Sequence, residues 1–335
     1  VSASPSDANI LSGRVRMIEI GAPASAIHFL GDVAVFVCTE ETAVFAAADG
    51  ALSRVALHDG AILCSASDGG RIVTGGDDGK IRSLDAARAA ATVAADPKSQ
   101  WIDTVALHGD GAVAWSASRT AFVKTEKGET KTWDAPSTIG GLAFAPKGFR
   151  LAIAHYNGVS LWFPNMAGVP ERLEWKGSHL GVAFSPDGKF LVTVMHEPAL
   201  HGWRLADAKN MRMTGYPARV KSMSWSAGGK WLATSGANEV IAWPFQTKDG
   251  PMGKQPAILA APNSSGVSAV ACHPAEAAMI AGYGDGAVRL IRLPDGAEIV
   301  LRESSGSAVA AVAWNARGTR LAFALEDGSA GLLSL

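Results

Sequence analysis

The chain alternates short apolar runs with tight polar turns, most clearly over 181–203, GVAFSPDGKFLVTVMHEPALHGW. Gly181 to Phe184 is apolar and predicts a strand. Ser185-Pro186-Asp187-Gly188 then predicts a tight turn: proline presets φ at the second position, aspartate bonds its own backbone, and glycine takes the left-handed corner. Phe190 to Val194, rich in β-branched and aromatic residues, predicts a second strand. A hairpin interrupted by Pro198 leads to a third strand ending on Trp203.

The same pattern returns at 142–162, 223–243, 270–291 and 312–333, and in weaker form at 27–45, 63–84 and 105–123. Eight copies at a period of about 40 residues match the size of a four-stranded propeller blade. The expected fold class is therefore all-β, an eight-bladed propeller with seven blades as the fallback. Outer strands are expected near 52–57, 90–94, 130–134, 170–175, 211–214, 256–260 and 297–302. The eighth copy ends at the chain's last residues without one. The isolated run 14–20 is expected to supply it and so to close the ring. Residues 1–13 read as a flexible N-terminus and 14–335 as a single propeller domain. A length of 335 residues alone would suggest two or three domains, but one copy cannot bury its own faces.

Composition changes this picture little. Apolar residues make up 48% and charged residues 18%, and the excess of Ala and Gly suits thin sheets packed face to face. No apolar run is long enough to span a membrane, and the first residues carry no secretory-signal pattern. Cys38, Cys64 and Cys272 are scattered, with no CxxC spacing, and are expected as free thiols in a reducing compartment. The net charge of −1 excludes a whole-chain nucleic-acid footprint. Charge is unevenly spread, however. Residues 1–110 hold 8 Lys/Arg against 14 Asp/Glu, and residues 111–230 hold 15 against 8. In a ring, one sector would be acidic and the one facing it basic.

The SPDG-like turns (Ser185 to Gly188, Ala145 to Gly148), the tryptophans closing third strands (Trp162, Trp203, Trp243) and the turns Asp78-Gly79, Asn157-Gly158, Asp285-Gly286 and Asp327-Gly328 resemble the WD40-repeat family over about 15–335. The chain departs from that pattern in having no intact Trp-Asp pair. It also lacks the Gly-His pair, Gly177-Ser178-His179 being the nearest relic. These departures weaken the expectation of the family's Asp-His-Ser/Thr-Trp hydrogen-bond network here, but not that of the architecture. The resemblance implies that the loops joining second to third strands share one face with the loops entering the next blade. On that face Glu40, Glu41, Asp77 and Glu326 would form an acidic sector. Trp101, Arg119, Tyr156, Tyr216, Arg219 and Lys221 would form a basic, aromatic patch, in residue types that interfaces favour. Asp78, Asp285 and Asp327 precede glycine and read as turn formers.

His155, His179 and His196 fall in consecutive copies on that face. Three imidazoles could hold zinc, although His179, which aligns with Val220, Val267 and Val309, also suits a buried histidine with a backbone partner. His201 lies opposite His196. No GxSxG, HExxH or P-loop is present, and Gly75-Gly76-Asp77-Asp78-Gly79 lies between strands, as a hairpin. The expectation is a non-enzymatic, monomeric, cytoplasmic protein–protein interaction scaffold with no cofactor, no nucleic acid and no membrane partner. The Ala-rich composition suggests a bacterial source. The alternatives are a metal- or small-ligand-binding propeller using His155, His179 and His196, and a propeller hydrolase or oxidoreductase.

Overall fold

The computed structural model describes residues 11–293 and 295–335. Most of the segment 1–13 lies outside the described residues. Within them, Leu11 and Val15 pack on a core cluster, and Arg14 Nη2 donates to the Ser334 carbonyl at 2.6 Å.

Among the described residues the structure is thirty strands and one short 3-10 turn, Ala227–Gly229. None of its helices is long and apolar enough to cross a membrane. The expected outer strands form at Leu52–Ala56, Ala90–Ala95, Thr130–Asp134, Lys209–Met213, Ala257–Leu259 and Glu298–Arg302, and within Glu171–Phe184. All pairing is antiparallel, as short hairpin connections require.

The strands make seven sheets, six of four strands and one of six. The expected count of eight separate blades is therefore corrected to seven sheets, with copies four and five sharing the six-stranded one. The cause is local. Leu151–Trp162 and Glu171–Phe184 each run unbroken through a corner that interrupts the chain elsewhere. Asn157 (φ +67°) and Gly158 (φ +139°) absorb the first corner, and Gly177 (φ +111°) the second.

Strand Arg16–Glu19 pairs with Ser329–Ser334, Arg16 opposite Leu332 and Glu19 opposite Ser329. The N-terminal segment thus supplies the outer strand of the last copy. This pairing completes a sheet and is not in itself the closure of a ring.

The turn chemistry repeats with the sheets. Ser185 Oγ accepts from Phe190 N at 2.9 Å, and Gly188, at φ +73°, bonds back to the Ser185 carbonyl. Ser226 accepts likewise from Trp231 N, and Asn315 from Arg320 N. A small acceptor at the turn's first position sets the spacing in each case. The first strand of six copies also carries a register shift just after its opening residue, as at Ile62/Cys64, His179/Gly181, Val267/Ala269 and Val309/Ala311.

The chain divides into two compact units, one of residues through Ala56 with Tyr216–Leu335, the other of Leu57–Gly215. In the first, apolar clusters lie between the sheets of copies six and seven, seven and eight, and eight and one. In the second they lie between copies two and three, three and four, and four and five. Alanines such as Ala34, Ala46, Ala322 and Ala324 let the sheets approach, while Phe36 and Ile27 fill the remaining space.

Gly282 shows how close that approach is. A Cβ at Gly282 would stand 2.3 Å from Val309 Cγ1 on the next sheet of the same unit. Gly282→Ala is expected to cost about 1–3 kcal/mol by overpacking, read from urea unfolding. Combined with Val309→Ala it should cost clearly less than the sum of the single changes. Strict additivity would show that the two positions do not compete for the same space.

Candidate functional site

Three threonines occupy one recurring position, Thr74 opposite Ser65, Thr193 opposite Val182 and Thr234 opposite Met223. Each is buried and each meets a polar ring from the segment entering its own copy. Thr74 Oγ1 lies 2.8 Å from His58 Nε2, and His58 Nδ1 lies 2.9 Å from Asp78 Oδ1. Burial pushes the Asp78 carboxyl up, but hydrogen bonds from His58, Lys80 N and Asp59 N outweigh it and hold the group below the usual range. Asp78 is therefore ionised and accepts from His58. It also forms its turn as expected, taking Lys80 N at 2.9 Å.

This Asp–His–Thr order resembles the relay of a hydrolase, but Thr74 is 1% exposed. A nucleophile must be reachable by its substrate. The geometry instead locks a loop to a strand.

Tyr216 performs the same task in copy six. Its hydroxyl accepts from Trp243 Nε1 at 2.7 Å and lies 2.7 Å from Thr234 Oγ1. Thr234 in turn donates to the Ile241 carbonyl at 3.0 Å. The proton direction follows: Trp243 to Tyr216 to Thr234 to Ile241, each hydroxyl both giving and taking. Burial pushes the phenol up to about 12. Tyr216 is thus removed from the expected interaction patch, because its side chain belongs to the interior.

The histidine expectations separate in the same way. His179 Nε2 faces the Trp175 carbonyl at 3.1 Å, and a carbonyl can only accept. Nε2 therefore carries the proton, and Nδ1 lies 2.8 Å from Thr193 Oγ1, which also donates to the His201 carbonyl at 3.1 Å. His155 Nδ1 donates to the Tyr156 carbonyl and Nε2 accepts from Ser160. Burial holds both rings below the usual histidine range. His196 is exposed. With the ring nitrogens of His155 and His179 committed to protein partners, the three do not converge as ligands. Among the described residues no group of three or more His, Cys, Asp or Glu could hold a metal.

His201 differs. It is fully buried, stacked on Trp175 at 4.0 Å with Trp203 edge-on at 4.7 Å, and neither ring nitrogen has a hydrogen-bond partner. Burial, with His179 and Arg212 nearby, pulls it down to about 3. The cysteines are all free, and burial pushes Cys64 up to about 12 and Cys272 to about 11, so neither is an activated nucleophile.

The remaining patch residues are exposed. In the second unit, Trp101 and Tyr156 are 62% and 58% exposed. Trp101 precedes Ile102, which pairs with Ala117, so it lies beside the Ser118–Arg119 turn. Segment 135–140 ties that turn to the next sheet. Ala135 N and Ile139 N donate to the Arg119 and Ser118 carbonyls, while Ser137 Oγ accepts from Tyr156 N. Trp101, Arg119 and Tyr156 thus follow one another along one end of consecutive sheets. The Arg119 guanidinium has only a loose partner, Asp134 at 3.7 Å, both well exposed.

Arg219 and Lys221 are exposed in the first unit. So are Glu40, Glu41 and Glu326, in the turns of copies one and eight, whereas Asp77 is half-buried in the second.

Residues 209–243, which hold the Tyr216–Thr234–Trp243 chain, match the family model described as WD domain, G-beta repeat. The chain thus carries a WD40 repeat within a β-propeller. Among solved structures it is similar to the computationally designed Ika8 protein, with a TM-score of 0.76 and 15% identity, covering 95% of this chain and 99% of that one. At that identity the likeness is one of fold. No curated protein matches the chain.

Reading the WD40 propeller from its sequence missed His58, since Leu57 stands where the family's Gly-His pair has glycine. Spacing carried the signal: Thr74 lies 16 residues after His58, and Thr234 lies 18 after Tyr216.

Tyr216→Phe strands Trp243 Nε1 and is expected to cost about 1–3 kcal/mol of stability, measured by urea unfolding; an unchanged midpoint would refute the assigned chain. A pH series tests His201. Its folded value lies below the unfolded one of 6.5, so the unfolded chain takes the proton first. The stabilisation it provides is complete above the unfolded value and is lost as pH falls from there toward about 3. His201→Phe should flatten the acid limb of stability against pH. An acid limb identical to wild type would show that His201 does not contribute to it.

Proposed function

We propose that this WD40 propeller is a non-enzymatic protein-interaction scaffold whose partner docks on the Trp101–Arg119–Tyr156 end of the second unit. One observation carries the reading: two large aromatic side chains, both more than half exposed, flank an arginine that spends almost none of its hydrogen-bonding capacity within the chain. Tryptophan, tyrosine and arginine dominate binding energy when a partner desolvates them. The backbones of Arg119 and Tyr156 are pinned by segment 135–140, so docking there orders little more than side chains. The cationic centre favours an acidic protein surface, with steering that weakens as salt rises. In the first unit Arg219 and Lys221 are exposed basic residues that suit an acidic partner, and Glu40, Glu41 and Glu326 are exposed acidic ones that do not.

This reading includes a reducing, cytoplasmic setting and a monomeric chain. The metal-binding alternative through His155, His179 and His196 loses its ground in the commitments of those rings.

The test compares wild type with Trp101→Ala/Tyr156→Ala and Arg119→Glu in affinity capture across a salt series, with thermal melting to confirm folding. A protein retained at low salt by wild type and lost by both folded variants supports the reading. Equal retention by all three would overturn the assigned surface. Turnover of a substrate by the purified chain would overturn the scaffold itself.

A further inference from the structure

We infer that a second site, unrelated to the docking end, binds a small phosphate-bearing anion. It is a cavity of about 230 Å³ in the first unit, where the N-terminal strand, the last strand and the first sheet meet, lined by Arg14, Arg16, Phe29, Asp32, Arg320 and Leu332 among others. Pockets for drug-sized ligands run to roughly 300–1,000 Å³, so the occupant is smaller.

The charge balance of the lining points to an anion. Three guanidinium groups face one carboxylate, and that carboxylate is engaged: Asp32 Oδ1 accepts from Asn315 Nδ2 at 2.9 Å, and Oδ2 from Arg317. The three lining arginines bond instead to neutral main-chain carbonyls. Arg14 donates to Ser334, Arg16 to Asp49, and Arg320 to Asp32 at 2.7 Å. None of the three pairs with a carboxylate among the described residues.

Each guanidinium carries five N–H donors. One anchoring bond positions each fork and leaves most of its donors unspent. A phosphate group offers several oxygens to more than one fork at once and relieves the repulsion among three like charges. A carboxylate, with two oxygens, satisfies a single fork.

The site is also a consequence of topology. Arg14 and Arg16 precede the first repeat copy, and Arg320 opens a strand of the last. Only the pairing of Arg16–Glu19 with Ser329–Ser334 gathers them.

Isothermal titration with inorganic phosphate near neutral pH and at fixed ionic strength is the direct test. Wild type is expected to bind a single equivalent. Acetate, as the carboxylate probe, should bind about tenfold more weakly or worse. Arg16→Gln and Arg320→Gln should each weaken phosphate binding by about tenfold. Arg16→Lys, which keeps the charge but not the fork, should fall between Arg16→Gln and wild type. Because Arg320 also anchors Asp32, thermal melting accompanies each variant, and Arg16 on its exposed strand provides the reading if Arg320→Gln does not fold. Absence of phosphate heat, acetate binding as tight as phosphate, or an unchanged affinity in Arg16→Gln would overturn the site.

Discussion

A four-stranded sheet has two faces, and in this chain almost every face must be covered by the sheet of another copy. Coverage demands close approach, and close approach demands small residues at set places. Gly75 and Gly282 occupy equivalent positions, each opposite the residue just past a register shift. A Cβ on Gly75 would come within 2.5 Å of Ile102, as one on Gly282 would of Val309. Ile102 and Val309 open the first strands of the next copies. A glycine at the same position therefore receives a β-branched residue in both units, Ile102 in one and Val309 in the other. The alanine-rich composition follows from this packing rule.

Polar networks solve a second problem that packing leaves open. An apolar face fixes the distance between sheets but only loosely fixes how an entering segment sits on its strand. A buried threonine met by a ring from that segment removes the ambiguity, because an unmade bond in the interior is costly. Copy two uses histidine and aspartate, copy five histidine and a carbonyl, and copy six tyrosine and tryptophan. Copies seven and eight place Val267 and Val309 where copy five has His179, and rely on apolar contact there. A polar ring thus meets the buried threonine in each of the three copies that carry it.

Much of the fold was legible because its signals are local. Turn residues, β-branched runs and the closing tryptophans located the strands, down to the unpaired segment before the first copy. The number of sheets was less legible. It depends on whether a corner at Asn157-Gly158 or Gly177 breaks a strand or is absorbed into it, a matter of ladder geometry that residue types do not determine. The site was less legible still. Tyr216, in the segment entering a copy, and Tyr156, at the corner inside Leu151–Trp162, are the same residue type, yet one is buried and the other 58% exposed. Only the presence of Thr234 and Trp243 within reach separates them, and that is a three-dimensional fact.

The same reasoning explains where unspent chemistry can persist. Most interior polar groups are satisfied, because an orphan there costs stability directly; His201 is one of the exceptions among the described residues, and its aromatic stacking offsets part of that cost. At the surface no such pressure acts, so Trp101, Tyr156 and Arg119 can stand uncommitted without harm to the fold. The arginine cavity lies between these cases. Its guanidinium groups are held by carbonyls, and the one carboxylate in the lining, Asp32, balances only part of their charge. A chain that gathers three arginines by pairing its first strand with its last, with only Asp32 among them as a counter-charge, keeps donors that an external anion can engage.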